Sequence, residues 1–258
     1  MPQPRKLHDE YFKKAKAEGY LARSAYKLLE IHTKKRIIHR GDRVIDLGCA
    51  PGSWLQVAEK LAGPQGVIVG IDLTPVEARF GPNVRTVVGD VTKINLAEIL
   101  PNGLFFDVLL SDMAPNTTGH GDDLVSARLC YAVLDVASRF LRPGGNLVMK
   151  VLEGSEYPEL LKATQKLFVE ARGLKPAASR DLSREIFIYG LEYVGPANAM
   201  SPPAPIKAVP KFFEKLPQVT IDKSPPNPYD KPPKMPSSQL YSKPKKKPNS
   251  SARGKPRS

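Results

Sequence analysis

The stretch Val44-Ile45-Asp46-Leu47-Gly48-Cys49-Ala50-Pro51-Gly52-Ser53-Trp54 constrains the fold more than any other part of this chain. A short apolar run closed by an acid and a glycine-rich bend, with a helical pattern directly after it, reads as the strand, tight turn and helix of a Rossmann-like unit. Gly48 and Gly52 allow backbone conformations closed to other residues and let a ligand approach the main chain, while the following helix presents unpaired N–H groups. The spacing is Gly48-x-x-x-Gly52 with Pro51 inside it, not the G-x-G-x-x-G that cradles a pyrophosphate. An acid at the strand end beside such a turn suits a cationic nucleoside bearing an amine, of which S-adenosylmethionine is the common example. On the motif alone, a nicotinamide dinucleotide or a purely structural turn stays open.

The rest of the chain repeats the alternation. Residues 9–19, with Tyr11 and Phe12 on one side, and 23–31 read as two basic amphipathic helices. Strands are expected over 43–47, 66–73, 84–88, 104–110 and 146–151, with helices over 53–61, capped by Ser53, and over 123–141. A helix over 157–171 and strands around 174–178 and 185–193 follow. Only about six residues join those two strands, too few for a parallel crossover, so the last strand should run antiparallel. The predicted fold is α/β: a Rossmann-like sheet of seven mostly parallel strands with an antiparallel last strand and helices on both faces. That is the arrangement of the class I methyltransferases, whereas a dehydrogenase would continue with a parallel strand.

Charge divides the chain into three segments. Residues 1–43 hold 12 Lys/Arg against 5 Asp/Glu, residues 44–200 hold 14 against 18, and residues 201–258 hold 13 against 3. A slightly acidic body between basic ends points to a catalytic domain with flanks that bind a polyanion. The expected division is basic helices over 1–40 packed on a catalytic domain over 41–195, then a disordered Pro/Lys-rich tail over 196–258. Residues 201–258 contain 14 of the 26 prolines and cannot bury enough apolar surface to offset the entropy of ordering. Cys49 and Cys130 form no C-x-x-C, and His8, His32, His39 and His120 are scattered, read as surface or loop residues, so neither a disulfide framework nor a metal site is expected. No apolar run approaches the roughly 18 residues of a membrane helix, and the first nine residues have no apolar leader core. A cytoplasmic protein in a reducing compartment is the expectation.

Asp46, Asp72, Asp90, Asp112 and Lys150 fall at or near the carboxyl ends of the expected parallel strands, where open α/β sheets bind ligands. Glu185, opening an antiparallel strand, should join the same rim. Asp72 is placed to accept hydrogen bonds from two ribose hydroxyls, a role shared with NAD enzymes. Asp90 could accept from an adenine amino group or simply close a turn, and Trp54 could wall a cofactor pocket or be core. Lys150 interrupts the apolar run Leu147-Val148-Met149-Lys150-Val151, where burial disfavours the ammonium and neighbouring carboxylates favour it.

Arg23-Ser24-Ala25-Tyr26-Lys27-Leu28, Asp46-Leu47-Gly48-x-x-Pro51-Gly52-x-Trp54, Ser111-Asp112-Met113-Ala114-Pro115-Asn116, Val148-Met149-Lys150 and Ser183-Arg184-Glu185 closely resemble the FtsJ-type (RrmJ/RlmE) ribosomal RNA 2′-O-methyltransferases in order and spacing. The resemblance covers roughly residues 9–194. It implies a Lys-Asp-Lys-Glu tetrad at Lys27, Asp112, Lys150 and Glu185, with Lys150 the principal catalytic residue. It further implies S-adenosyl-L-methionine as methyl donor, contacted by Gly52, Trp54, Asp72, Asp90 and Asp112, with Gly48 in the same turn, and no metal. The implied substrate is a uridine of 23S ribosomal RNA in the peptidyl-transferase region, on the assembling 50S subunit, and the implied enzyme is a monomer. Transfer RNA and mRNA-cap enzymes share the tetrad, and an RNA-binding assembly factor without activity would keep the basic flanks, so these are the alternatives. Cys49 and Ser53 depart from the small residues usual in the turn, and the tail has no counterpart in compact bacterial members.

Overall fold

A computed structural model describes residues 6–96, 105–115, 121–179 and 183–195. The elements in order are α1 (Lys6–Ala17), α2 (Ala25–Lys35), β1 (Arg43–Leu47), α3 (Ser53–Ala62), β2 (Val67–Asp72), β3 (Val84–Val88), β4 (Phe106–Ser111), α4 (Asp122–Phe140), β5 (Leu141–Leu152), α5 (Tyr157–Gln165), β6 (Phe168–Leu174) and β7 (Glu185–Tyr193). The strands form one sheet in the order β3-β2-β1-β4-β5-β7-β6. β1 to β5 run parallel, and β7 lies antiparallel to both β5 and β6. Strand order reverses between β1 and β4, which puts the ligand-binding crevice of an open α/β sheet at their carboxyl ends.

Runs such as Val44-Ile45 and Val67-Ile68-Val69 are apolar at consecutive positions because successive side chains point to opposite faces and both faces are covered. Ile45, Leu47, Val69 and Ile71 pack on Cys130, Val133 and Ala137 of α4 and Leu160 of α5. Val44, Ile68, Val108, Leu110 and Val148 pack on the other side with Leu28 and Ile31 of α2 and Trp54, Leu55 and Ala58 of α3. The second helix of the basic N-terminal segment is thus part of the main core. α3 ends at Gly63, whose φ of 71° suits a residue without a side chain and whose N–H closes on Glu59 O.

Several boundaries differ from the expectations. The helix expected over 157–171 stops at Gln165, and Phe168–Leu174 is a strand paired with β7, so the strand expected at 174–178 lies one element too late. Leu160, Leu161, Leu167 and Phe168 keep a helical spacing in sequence, but pairing with β7 overrides it; Phe168 and Ala171 face the core while Val169 is exposed. Ser53 does not cap α3: Gly52 occupies the cap position with φ 109°, and no side chain completes the cap. Ser53 Oγ instead pairs with Ser24 Oγ at 2.7 Å. On α1, Tyr11 turns to the Tyr26 ring while Phe12 is 60% exposed, since adjacent helical residues lie about 100° apart. β5 begins at Leu141, earlier than expected, across a register shift between Phe106 and Val108 of β4. Residues 196–258, expected to form the tail, lie outside the described residues.

Asp107 ties the amino-terminal edge of the sheet together. Its carboxylate accepts from Arg43 N at 2.7 Å, from Arg43 Nε at 2.9 Å and from Arg142 Nε. Burial pushes the Asp107 carboxyl up, but the hydrogen bonds and charge of Arg43, with help from Arg142, outweigh it and leave its pKa below the ordinary value. A depressed folded value stabilises the fold above the unfolded carboxylate value of about 3.9, and that support is lost as pH falls through the folded value. Asp107→Ala is therefore expected to cost about 2–3 kcal/mol near pH 7 by leaving two guanidinium groups unpaired. Urea unfolding at pH 7 and again near pH 3 checks this: the gap between variant and parent should narrow in acid, and an equal gap at both values would contradict it.

Candidate active site

All six ionisable residues singled out in the sequence lie at or beside the carboxyl rim. Asp46 is the penultimate residue of β1, Asp72 ends β2, Asp90 follows β3 by two residues and Asp112 follows β4 directly. Lys150 lies two residues from the end of β5, and Glu185 opens β7 opposite Leu152. Antiparallel pairing of β5 with β7 is what brings residues 150 and 185 to the same edge.

Two ion pairs form there. Lys150 Nζ stands 3.0 Å from Asp112 Oδ1 and donates to the main-chain oxygen of Asp112 at 2.6 Å. Lys27, reaching in from α2, donates to Glu185 Oε2 at 2.7 Å. Both lysines are almost wholly buried, at 4% exposure for Lys27 and 7% for Lys150, which is tolerable only with carboxylate partners. The two pairs are adjacent. Burial pushes the Glu185 carboxyl up, but the charge and hydrogen bond of Lys27 and the charge of Lys150 outweigh it, so its pKa falls below the ordinary value. Ser183 Oγ accepts from Glu185 N at 3.3 Å and Cys130 Sγ donates to Lys150 O at 3.1 Å, each fixing one side of the pairing.

The Gly48–Gly52 turn sits beside this cluster. Gly48, with φ 79°, donates to Ile71 O at 2.7 Å, and a Cβ there would fall 2.5 Å from Met113 Cγ, so only glycine lets the turn close against the residue after Asp112. Asp72 accepts from Ala50 N at 2.9 Å and from Thr74 N at 2.8 Å, each oxygen keeping a lone pair. A cavity of about 600 Å³ opens beside it between Leu21, Ala50, Pro51, Thr74, Pro75, Glu77 and Ala78. Asp90 closes its own turn, accepting from Thr92 N and Oγ1 and pairing with Lys93 at 3.2 Å. The Thr92 hydroxyl first, with Lys93, holds the Asp90 carboxyl below the ordinary range. The Trp54 side chain does not wall a pocket. It is 2% exposed inside the core, its ring 5.8 Å from Phe187 and its indole N–H donated to Ser24 O, so a ligand would meet Trp54 only through the main chain of the first turn of α3.

Asp46 is the strand-end acid read in the sequence as suiting a cationic nucleoside. It is fully buried, and neither carboxylate oxygen has a hydrogen-bond partner among the described residues. Burial first, then the charges of Asp112 and Asp72, hold its pKa well above the ordinary value. The signal was an acid one residue inside an apolar strand. Asp72 and Asp112 beside the glycine turn fit a cationic ligand with hydroxyl donors, as S-adenosylmethionine is. Among the described residues no group of three or more His, Cys, Asp or Glu could hold a metal, and no helix is long and apolar enough to cross a membrane.

The sequence matches the FtsJ-like methyltransferase family over residues 20–193, most of the chain and every element from α2 to β7. The chain belongs to the FtsJ-like methyltransferase family. Like its family, this methyltransferase depends on S-adenosylmethionine. It is 47% identical over 189 residues to ribosomal RNA large subunit methyltransferase E of Syntrophobacter fumaroxidans, covering 72% of this chain and 95% of that one. It is 44% identical over 202 residues to the protein of the same name from Desulfotalea psychrophila, covering 74% and 98%. Among solved structures, a putative ribosomal RNA methyltransferase of Plasmodium falciparum superposes with a TM-score of 0.61 at 29% identity, over 69% of this chain and all of that one. Aeropyrum pernix fibrillarin, crystallised with natively bound S-adenosyl-L-methionine, shares the fold at 22% identity and a TM-score of 0.50, over 65% of this chain and 73% of that one.

A raised folded pKa means that Asp46 weakens the ligand-free fold above about pH 3.9, and that this disadvantage disappears below it. Asp46→Asn is expected to stabilise the ligand-free methyltransferase by roughly 2 kcal/mol at pH 7 while weakening S-adenosylmethionine binding. Calorimetry at pH 7 and pH 3.5 reads the first effect, and titration with the donor reads the second. A variant less stable than its parent at pH 7 would contradict the reading of Asp46 as an uncompensated acid.

Proposed function

We propose that this methyltransferase modifies a ribose 2′-oxygen of large-subunit ribosomal RNA, a uridine in the peptidyl-transferase region of 23S RNA, on the assembling 50S subunit in the cytoplasm, and that it acts as a monomer. The observation that carries the chemistry is the pair of ion pairs, Lys150–Asp112 and Lys27–Glu185, side by side at the rim. The relatives' shared name, ribosomal RNA large subunit methyltransferase E, supports the choice of large-subunit RNA.

S-adenosylmethionine supplies a methyl group on a cationic sulfur that leaves as a neutral thioether. Holding nucleophile and methyl in line is therefore most of what the protein must do. Asp72 would bind the donor's ribose hydroxyls, Asp90 its adenine amine, and the main chain of Gly48, Gly52 and Trp54 its remainder, with Asp46 and Asp112 supplying negative potential toward its charged end. Lys150 donates one N–H to the main-chain oxygen of Asp112 and stands 3.0 Å from its carboxylate. As the O–C bond forms and the C–S bond breaks, Lys150 would either take the 2′-hydroxyl proton or, as an ammonium, orient the hydroxyl while the proton passes to water. Lys27 and Glu185 hold the second side of that network. A site addressed to the 2′-hydroxyl selects RNA over DNA by construction. Lys13, Lys14, Lys16, Arg23, Lys34, Lys35 and Arg36 would track phosphates beside the site, and residues 201–258 would add sequence-independent affinity.

Lys150→Ala is expected to lower methyl transfer to large-subunit particles from enzyme-deficient cells by about 10²–10⁴-fold while leaving donor affinity nearly intact. Tritium incorporation and calorimetric titration measure the two effects, and retained turnover would refute the role of Lys150. Transfer RNA methylated in preference to large-subunit RNA would refute the target. Deleting residues 201–258 should flatten the dependence of RNA affinity on salt concentration, the logarithmic slope falling by about 0.9 for each phosphate the tail neutralises. An unchanged slope would rule the tail out as a phosphate binder.

A further inference from the structure

Lys27 is the one tetrad member that the sheet does not place. Asp112, Lys150 and Glu185 belong to or adjoin strands whose register is fixed by ladder hydrogen bonds. Lys27 belongs to α2, which packs on the sheet through Leu28 and Ile31, pairs with Glu170 of β6 through Lys35, and meets α3 just before Lys27. That junction is unusually polar. Ser24 O accepts two N–H groups: that of Lys27 itself at 3.0 Å and the indole N–H of Trp54 at 2.9 Å. Ser24 Oγ and Ser53 Oγ share a hydrogen bond of 2.7 Å. Gln56 grips the turn just before α2 from both sides, accepting from Leu21 N and donating to Gly19 O, each at 2.9 Å.

A second route reaches the ammonium end of the same lysine. The Trp54 ring lies 5.8 Å from that of Phe187, and Lys27 Nζ stands over the Phe187 ring, 5.5 Å from its centre. Phe187 is paired in register with Lys150. Trp54 therefore fixes Lys27 at both ends, through the carbonyl that starts its helical turn and through the ring beneath its ammonium. Ser53, Trp54 and Gln56 all belong to the first turn of α3, directly after Gly52. One short segment thus ends the glycine turn and seats a residue of the tetrad.

We propose that Trp54 is a positioning residue which, with Ser53 and Gln56, holds Lys27 in its ion pair with Glu185. The proposal rests on the reading of Lys27 and Glu185 as members of the tetrad, but its test needs neither RNA nor methyl transfer, so failure of one is distinguishable from failure of the other. Glu185 is the reporter. The charged groups that face it are Lys27 from α2 and Lys150 from β5, with the Ser183 hydroxyl beside its main chain. When Lys27 is withdrawn, the Glu185 carboxyl must titrate at higher pH.

The experiment follows the Glu185 side-chain carboxyl by carbon-13 NMR in the full chain, across pH, in the parent and in Lys27→Ala, Trp54→Phe and Gln56→Leu. Trp54→Phe keeps an aromatic ring but removes the N–H and some core volume. Gln56→Leu touches a half-buried side chain and leaves the core intact, so it carries the test if the first variant folds poorly. Expected is a rise of the Glu185 pKa in both clamp variants by at least half of the rise in Lys27→Ala, and no further rise when Trp54→Phe is added to Lys27→Ala. A Glu185 titration superimposable on the parent's in folded Gln56→Leu overturns the proposal. So does an additive shift in Trp54→Phe/Lys27→Ala, which would mark a general loosening of the fold. In turnover, the clamp variants should lower kcat without raising the KM for S-adenosylmethionine. A raised KM with Glu185 unmoved would return Trp54 to the role of cofactor wall.

Discussion

Two ammonium groups and two carboxylates share a nearly dry patch at the end of β4, β5 and β7, and each is tolerable there only because its opposite is within about 3 Å. Removing either carboxylate leaves a buried ammonium uncompensated, which is costly to the fold. The adjacent sheet edge carries Asp46, an acid with no hydrogen-bond partner among the described residues, whose charged form is disfavoured by burial and by the charges of Asp112 and Asp72. Its burial weakens the ligand-free fold.

The sheet brings these groups together by topology rather than by proximity in sequence. Parallel strands deliver Asp46, Asp72, Asp90 and Asp112 to one rim because each strand ends there. Glu185 arrives because β7 runs the other way and starts where β5 finishes. Lys27 comes from outside the sheet, on a helix that a polar seam joins to α3. The glycine turn therefore has two neighbours, the donor crevice on one side and the seat of Lys27 on the other.

The strand ends are legible in the sequence because an acid or a lysine interrupting an apolar run is conspicuous, and the family motifs carry the tetrad. Antiparallel β7 follows from a connection too short for a crossover, even though the strand before it starts earlier than its pattern suggests. What escapes a local reading is decided by partners distant in sequence. Phe168–Leu174 keeps a helical spacing yet pairs with β7. Ser53 has the composition of a cap, but its hydroxyl is taken by Ser24, 29 residues away. Trp54 is the chain's only tryptophan and opens a helix beside a ligand turn, which is why a pocket wall is a natural reading of it. Its indole N–H answers to Ser24 O, which no local pattern announces.

The atom that receives the methyl group tests the whole arrangement most directly. Large-subunit particles methylated with labelled S-adenosylmethionine can be digested to nucleosides and the label located by mass spectrometry. If Lys150 acts on a ribose hydroxyl, the label must lie on a 2′-oxygen. Label recovered on a base, with riboses unmodified, would contradict it.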